Sequence, residues 1–450
     1  MDHEKSPLSL DIVVVGAGLS GLAAAISSAL SGHKVTVLEA APRLQEIGAG
    51  IQITPNSSRL LKKWGLPDSF WKAACEPSYI AVHRYSDGNI LALEEEFDKN
   101  MRTKYGAPFI DVHRVDLHFA LATRAGELGV VIQTNNRVTD IDFSVPVLKT
   151  TNGTTLRPDL IVGADGIWST CRHLYMNNPD RPLSTGDNAF RITLTIDQID
   201  DPELRDIVQR PGLNFWIGPY GHVVAYSLRA GTMLNIVLIV PEEVERGESH
   251  ASASDKRRSE TIEDIKASSK KRVQEPAEEM RALFEDWDPI LTRFLGLVKG
   301  VRKWELMHRA ELECWVNTEA TCVFVGDSCH PMLPYLAQGA NSALEDGAVL
   351  GLLLGAIKTR GQLPKALTMY QALRKARGDA IAKEAFEQRD AFHMSNGPEQ
   401  QARDELFLSQ LGKEVKGPFP SRWTCPIVQP WLYGYDAYAE VEAAVERNPF

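Results

Sequence analysis

The feature that most constrains this chain is Gly16-Ala-Gly18-Leu-Ser-Gly21, set between the apolar run Asp11-Ile-Val-Val-Val15 and a helix-forming run over residues 22–30. With a second apolar stretch over residues 34–38, these segments predict strand, glycine turn, helix and strand: one βαβ unit over residues 11–39. Each glycine has its own task. The first permits a tight turn, the second lets backbone approach a pyrophosphate, and the third lets the helix pack closely, while the helix N-terminus faces the phosphates. Glu39 ends the second strand, where a carboxylate can accept hydrogen bonds from both hydroxyls of an adenosine ribose. The unit therefore predicts dinucleotide binding. NAD-dependent dehydrogenases and flavoproteins share it, so the choice between them rests on the remaining chain.

At 450 residues the chain exceeds the size of one hydrophobic core and should divide into packed regions that share a site. Two further apolar runs, residues 160–162 and 321–325, lead into Gly163-Ala-Asp165-Gly166 and Gly326-Asp327. Strands that end in glycine-acid turns in this way predict a single parallel sheet. Between them, closely spaced runs at 192–196, 213–217, 222–228 and 234–240 predict an antiparallel sheet. Residues 340–357 and 363–392 have helical spacing and composition, and 423–450 should pack back on the body. The fold class is thus α/β (α+β), a Rossmann-like unit interleaved with an antiparallel sheet and closed by a helical C-terminus.

A net charge of −10 gives no general attraction to phosphate backbones or anionic lipid, which argues against nucleic acid as a partner. Six cysteines, Cys75, Cys171, Cys314, Cys322, Cys329 and Cys425, show neither a C-x-x-C pair nor zinc-ligand spacing. They suit a reducing compartment and a cytoplasmic location, and no metal site is expected. No signal peptide and no membrane span are expected; residues 234–240, rich in Ile and Val, read as a buried strand. The polar stretch 242–279 reads as an exposed insertion.

Two segments favour FAD. Glu46-Ile-Gly-Ala-Gly50-Ile-Gln52 can pass close to a large planar ligand, with a plain loop as the competing reading. Val325-Gly-Asp327-Ser-Cys-His330-Pro-Met-Leu-Pro334 leads into Gly339-Ala340-Asn341: an acid after a strand, a proline-rich turn, then a glycine opening a helix. Asp327 would hold the ribityl chain. The helix starting near Gly339 would point its positive end at the flavin pyrimidine edge or the pyrophosphate. No second GxGxxG follows residue 21, so a separate nicotinamide domain is not expected, and the lack of a cysteine pair argues against disulfide reduction.

Taken together, these segments resemble the group A flavoprotein monooxygenases, in particular the salicylate-hydroxylase-like branch with its fungal aromatic hydroxylases. The matching residues are the Gly16–Leu22 turn with Glu39, the Ile47–Ser57 loop, His113-Arg114-Val-Asp116-Leu, Gly163-Ala-Asp165-Gly166-Ile-Trp-Ser169-Thr-Cys-Arg172 and the Gly326–Asn341 run. The resemblance implies noncovalent FAD held by Gly16, Gly18, Gly21, Glu39, Gly50, Gln52, Arg114, Asp165, Asp327, Gly339 and Ala340. NADPH or NADH would visit transiently, and the pattern of Asp165, Gly166, Ser169 and Arg172 is associated with both cofactors. For Arg114 a surface ion pair is the alternative.

The implied organisation has an FAD-binding domain in two parts, 1–180 and 301–392, around a substrate domain at 181–300, with 393–450 as a C-terminal segment. The implied reaction is NAD(P)H- and O2-dependent hydroxylation of a phenolic or other electron-rich aromatic substrate through a flavin C4a-hydroperoxide. Arg191 and Tyr226 occupy places that bear catalytic residues in related fungal phenol hydroxylases, where a guanidinium can favour a phenolate and a tyrosine orient it; for each, solvation or packing is the bland alternative. His330 is expected to shape the turn, and His222 is an alternative base. Phe190, Phe215, Trp216 and Tyr220 could wall a ring-shaped pocket, core packing being the default. A related flavoenzyme that epoxidises or oxidises without oxygen insertion, and a non-catalytic FAD-binding protein, are the competing functions. The substrate, the nicotinamide preference, any loss of carboxyl and the oligomeric state stay open.

Overall fold

The computed structural model describes residues 7–44, 48–176, 181–242 and 276–450. Asp11–Val15, Lys34–Leu38 and the helix Leu19–Leu30 between them form the expected βαβ unit, the helix starting earlier than its apolar run suggests. The strands lie in a five-stranded sheet ordered Cys322–Phe324, Leu160–Gly163, Asp11–Val15, Lys34–Leu38 and Val131–Gln133, with every pair parallel. Val15 pairs with Gly163, and Gly163 with Phe324. Three glycine turns, two of them carrying an acid, therefore leave adjacent strands at one edge, the place where open α/β sheets bind ligands.

The second sheet has seven strands, ordered Arg302–His308, Leu183–Thr195, Met233–Pro241, Gly221–Leu228, Leu213–Gly218, Tyr79–Arg84 and Ile90–Glu95. It is antiparallel except where Leu213–Gly218 runs parallel to Tyr79–Arg84. The strand expected at 192–196 begins at Leu183, and Ile196 falls in a 3-10 turn. Tyr79–Arg84, Ile90–Glu95 and Arg302–His308 come from stretches assigned by sequence to the FAD-binding parts, because strand pairing joins residues more than a hundred positions apart. Of the expected insertion at 242–279, residues 243–275 lie outside the described residues; 276–283 form a helix.

Alternation of side chains separates the faces of this sheet. Phe190, Trp216 and Ile236 pack with Met280, Phe284 and Phe294 on one side, and Phe215 and Tyr226 pack with Tyr335, Phe392 and Trp423 on the other. Between the two large sheets, Gly50–Ile53 pairs with Ile110–His113.

The helix Gln338–Ala356 lies against Leu19–Leu30 through a ridge of glycines four residues apart. A Cβ at Gly347 would come within 2.5 Å of Ala24 N, one at Gly351 within 2.2 Å of Ser27 Oγ, and one at Gly355 within 2.8 Å of Ser31 Oγ. The hydroxyls of Ser27 and Ser31 donate across the contact to the carbonyls of Ala348 and Gly351 at 3.2 and 2.8 Å. This close approach holds the start of the second helix beside the Gly16 turn.

Candidate active site

One cavity of about 560 Å³ runs from the Gly16 turn to the face of the seven-stranded sheet. At its nucleotide end, Gly16 adopts φ +105°, and a Cβ there would lie 2.5 Å from Ala164 O. A Cβ at Gly18 would meet no protein atom within 4 Å and would stand in the cavity, so the absent side chain leaves room for a phosphate. Gly21 does not line the space; its ideal Cβ would lie 1.9 Å from Gly16 O, as expected of the glycine that lets the helix pack. The Glu39 carboxylate is fixed by the amides of Ala17 at 3.0 Å and Ala41 at 2.7 Å. It lines the cavity at the end of its strand with acceptor capacity to spare.

Further along the cavity lie Gly50, Gln52, Arg114, Asp165, Asp327, Gly339 and Ala340. Asp327 is exposed to the cavity, and the protein packed around it raises its carboxyl pKa while His330 and Arg114 oppose the rise. Arg114 opens the helix Arg114–Glu127 and its amide donates to Ala49 O, which ties it to the Gly50 loop. Asp165 accepts from Ser169 Oγ and from the amides of Thr170 and Cys171, capping the helix Thr170–Met176 from the cavity wall. The donors and acceptors fit an FAD: room at Gly18, a ribose acceptor at Glu39, a second acid at Asp327, and the first amides of Gln338–Ala356 beside it.

At the other end the wall is the seven-stranded sheet. Arg191 occupies an interior strand, between Val237 and Arg302 in the pairing, and lines the cavity. Its buried Nε has no hydrogen-bond partner among the described residues; burial lowers its pKa, the neighbouring Tyr226 opposes this, and Arg114 adds to it. Tyr226 is 4% exposed. Burial and then the nearby Asp111 push its phenol well above the ordinary value, so it stays a neutral hydroxyl donor. Asp111 is itself raised by burial despite the hydrogen bond from Gln52 Nε2 at 3.1 Å.

The structure redistributes several expected residues. Phe215 lines the cavity, whereas Phe190 and Trp216 point through the sheet into the opposite core, and Tyr220 lies outside the lining in a turn with φ +66°. Period-two alternation is the reason: Phe190 and Trp216 are each adjacent in chain to a residue that faces the cavity. Ser169 and Arg172 do not reach the cavity either; Arg172 is buried and donates to the carbonyls of Ala310 and Ser328. His330 is structural, as expected. It bonds to Asp346 and stacks on Trp315, and although burial works against its charged form, Asp346 raises its pKa overall.

Sequence reasoning missed Asn235, Tyr335, Trp423 and His393. Asn235 sits opposite Tyr226 in the sheet, and its Oδ1 accepts from Gly50 N at 2.8 Å, while its Nδ2 is buried without a partner among the described residues. Gly50 must be small here, since a Cβ would lie 2.6 Å from Tyr226 Oη and 2.7 Å from Asn235 Cγ. A lone Asn in the apolar run Leu234–Val240 is the one local signal that could have marked it.

Comparison with known proteins shows the family. Residues 9–385 match the family model described as FAD binding domain. The chain is 45% identical over 98% of its length, and 98% of the relative's, to the FAD-dependent monooxygenase OpS4 of Beauveria bassiana. It is 32% identical over 84% of its length, and 88% of the relative's, to hispidin-3-hydroxylase of Neonothopanus nambi. Its fold matches the crystal structure of CtdE in complex with FAD and a substrate, with TM-score 0.76, 19% identity, and coverage of 97% of this chain and 98% of the other.

Proposed function

Because this chain belongs to the FAD-dependent monooxygenases built on the FAD binding domain, we propose that its substrate is a small phenolic or otherwise electron-rich aromatic compound, hydroxylated at the expense of O2 and NADH or NADPH. The observation that carries the reading is the single cavity joining the nucleotide end, at Gly18 and Glu39, to Arg191 and Tyr226 on the sheet wall. Hispidin-3-hydroxylase among the relatives supports an aromatic substrate. FAD, when bound, supplies the hydride acceptor and the activation of O2.

The protein's own work is binding and orientation. Gly16 and Gly18 admit the pyrophosphate, Gly21 sets the helix, Glu39 accepts from the ribose, and Asp327 accepts from the ribityl hydroxyls. Gly50, Gln52, Arg114, Asp165, Gly339 and Ala340 complete the FAD surroundings. Arg191 favours the ionised phenol by charge, Tyr226 donates to the same oxygen, and Phe215, Val224 and Trp423 exclude water from the ring. Free thiols throughout the chain support a cytoplasmic location, and no helix of the described residues is long and apolar enough to cross a membrane.

Anaerobic stopped-flow reduction by NADH and by NADPH, with a panel of phenols, tests the reading. A phenol that accelerates flavin bleaching and is recovered hydroxylated after admission of O2 is the expected result. Bleaching with no phenol-dependent product would refute it.

A further inference from the structure

His222 projects from Gly221–Leu228 into the substrate end of the cavity, and its Nδ1 lies 2.7 Å from Nε2 of His393, which follows the helix Leu363–Phe392. The rings are 5.0 Å apart between centroids and are packed by Tyr335 and Phe392. His393 is held in place by its backbone, with its amide on Arg389 O and its carbonyl accepting from Tyr220 N. Its remaining nitrogen, Nδ1, is buried with no partner among the described residues. The remaining nitrogen of His222, Nε2, is not among the buried orphans, and His222 lines the cavity.

Two neutral imidazoles carry one N–H each, and one of these two protons lies in the bond, so there are two arrangements. If His222 donates from Nδ1, its Nε2 is a bare acceptor toward the cavity and His393 carries a proton on an orphaned, buried Nδ1. If His393 donates from Nε2, its Nδ1 is a bare lone pair and His222 presents Nε2–H to the cavity. Orphaned buried donors are rarer than under-satisfied acceptors, which favours the second. A base at His222 meets a further obstacle: accepting a substrate proton would leave an imidazolium with no carboxylate of the described residues acting on either ring. Burial lowers the pKa of His222 to about 3; burial, His222 and Arg389 lower that of His393 well below the ordinary value. The orphaned Nδ1 offers no onward path for the proton.

We infer that His393 is a positioning residue that locks His222 as a neutral Nε2–H donor, and that the site selects phenols bearing an acceptor oxygen, a carbonyl or carboxylate, on the ring. This rests on the aromatic reading above, and the test separates the two.

Three probes share one ring: resorcinol, 2,4-dihydroxyacetophenone and 2,4-dihydroxybenzoate. Their affinities for the FAD-loaded protein are read from perturbation of the flavin absorbance. In the wild type the two acceptor-bearing probes should bind more tightly than resorcinol, by roughly five- to twentyfold for one hydrogen bond. His393→Leu should collapse that margin with FAD content intact, and His393→Gln, which restores an N–H near the same place, should recover it. A wild-type protein with no margin, or a margin that survives in His393→Leu, overturns the inference. If no phenol perturbs the flavin, the aromatic reading fails and this one with it. Selective ¹⁵N-histidine NMR on the wild type gives a second measurement that needs no variant: a neutral Nε2–H tautomer at His222 from pH 6 to 8 is expected, and an Nδ1–H tautomer or an imidazolium overturns the assignment.

Discussion

Arg191 is a half-buried cation whose buried Nε has no acceptor among the described residues, and such a group costs free energy until a ligand oxygen fills the space beside it. Tyr226 stands next to it as a phenol that burial keeps protonated. Their replacement should separate chemistry from cofactor binding, since neither belongs to the nucleotide end. Arg191→Ala and Tyr226→Phe are expected to retain FAD and lose product formation by roughly 10- to 1000-fold, about 1.4 to 4 kcal/mol of transition-state stabilisation. Steady-state assays at saturating FAD check this. Raising the pH toward the free phenol's own pKa should partly rescue Arg191→Ala, because solvent then supplies the phenolate. Asp327→Ala should act in the opposite way, weakening FAD by about 1.5 to 3 kcal/mol in a titration of the apoprotein.

Among the elements, the helix Gln338–Ala356 bears the most. Its glycine ridge sets its distance from Leu19–Leu30, and its middle carries two buried acids, Glu345 and Asp346. Glu345 takes both Nε and Nη2 of Arg377 at 2.8 Å and Asn56 Nδ2 at 2.7 Å; Asp346 takes Arg374 Nε at 2.8 Å and Gly326 N at 2.9 Å. The last of these ties the helix to the turn that carries Asp327. Gly351→Leu should force the helices apart, costing about 1 to 3 kcal/mol in thermal unfolding and lowering FAD occupancy together. Arg374→Leu should cost about 3 to 5 kcal/mol, since it leaves buried carboxylates short of a partner. Burial raises the Asp346 pKa, but His330 and Arg374 bring it down to about 2. A depressed carboxyl contributes stability that is full above its unfolded value, near 4, and fades as pH falls toward 2.

On the scale of the molecule, the small sheet of Gly50–Ile53 and Ile110–His113 meets the seven-stranded sheet at Gly50. Its amide is bonded to Asn235 on the substrate sheet, while its loop continues into the Gly50–Ile53 strand and, through Ala49, touches Arg114. Gly50→Ala and Asn235→Leu should therefore retain FAD yet misplace it relative to the ring, so that NAD(P)H oxidation releases H2O2 in place of hydroxylated product. The ratio of H2O2 to NAD(P)H consumed measures this, and a fully coupled Gly50→Ala protein would show that the contact has no such role.

The nucleotide end was legible in the sequence because its requirements are local and written in backbone chemistry. A glycine at φ +105°, a helix N-terminus and an acid closing a strand all fall within residues 11–39, where spacing alone places them together. The segment around Asp327 was legible for the same reason, and Arg191 and Tyr226 were reached through family resemblance. What lines the far end was not legible. A side chain's face on a strand reverses with a register shift of one residue, so Phe215 and Trp216, neighbours in sequence, went to opposite cores. Asn235 acquires its meaning only by sitting opposite Tyr226 and beneath Gly50, and His393 meets His222 across 171 positions of chain. The sequence by itself determined the family and the cofactor-binding unit, because short-range backbone constraints leave a recurring local pattern. Only the tertiary structure decided which side chains complete the substrate end, because long-range pairing and register bring them together and leave no pattern along the chain.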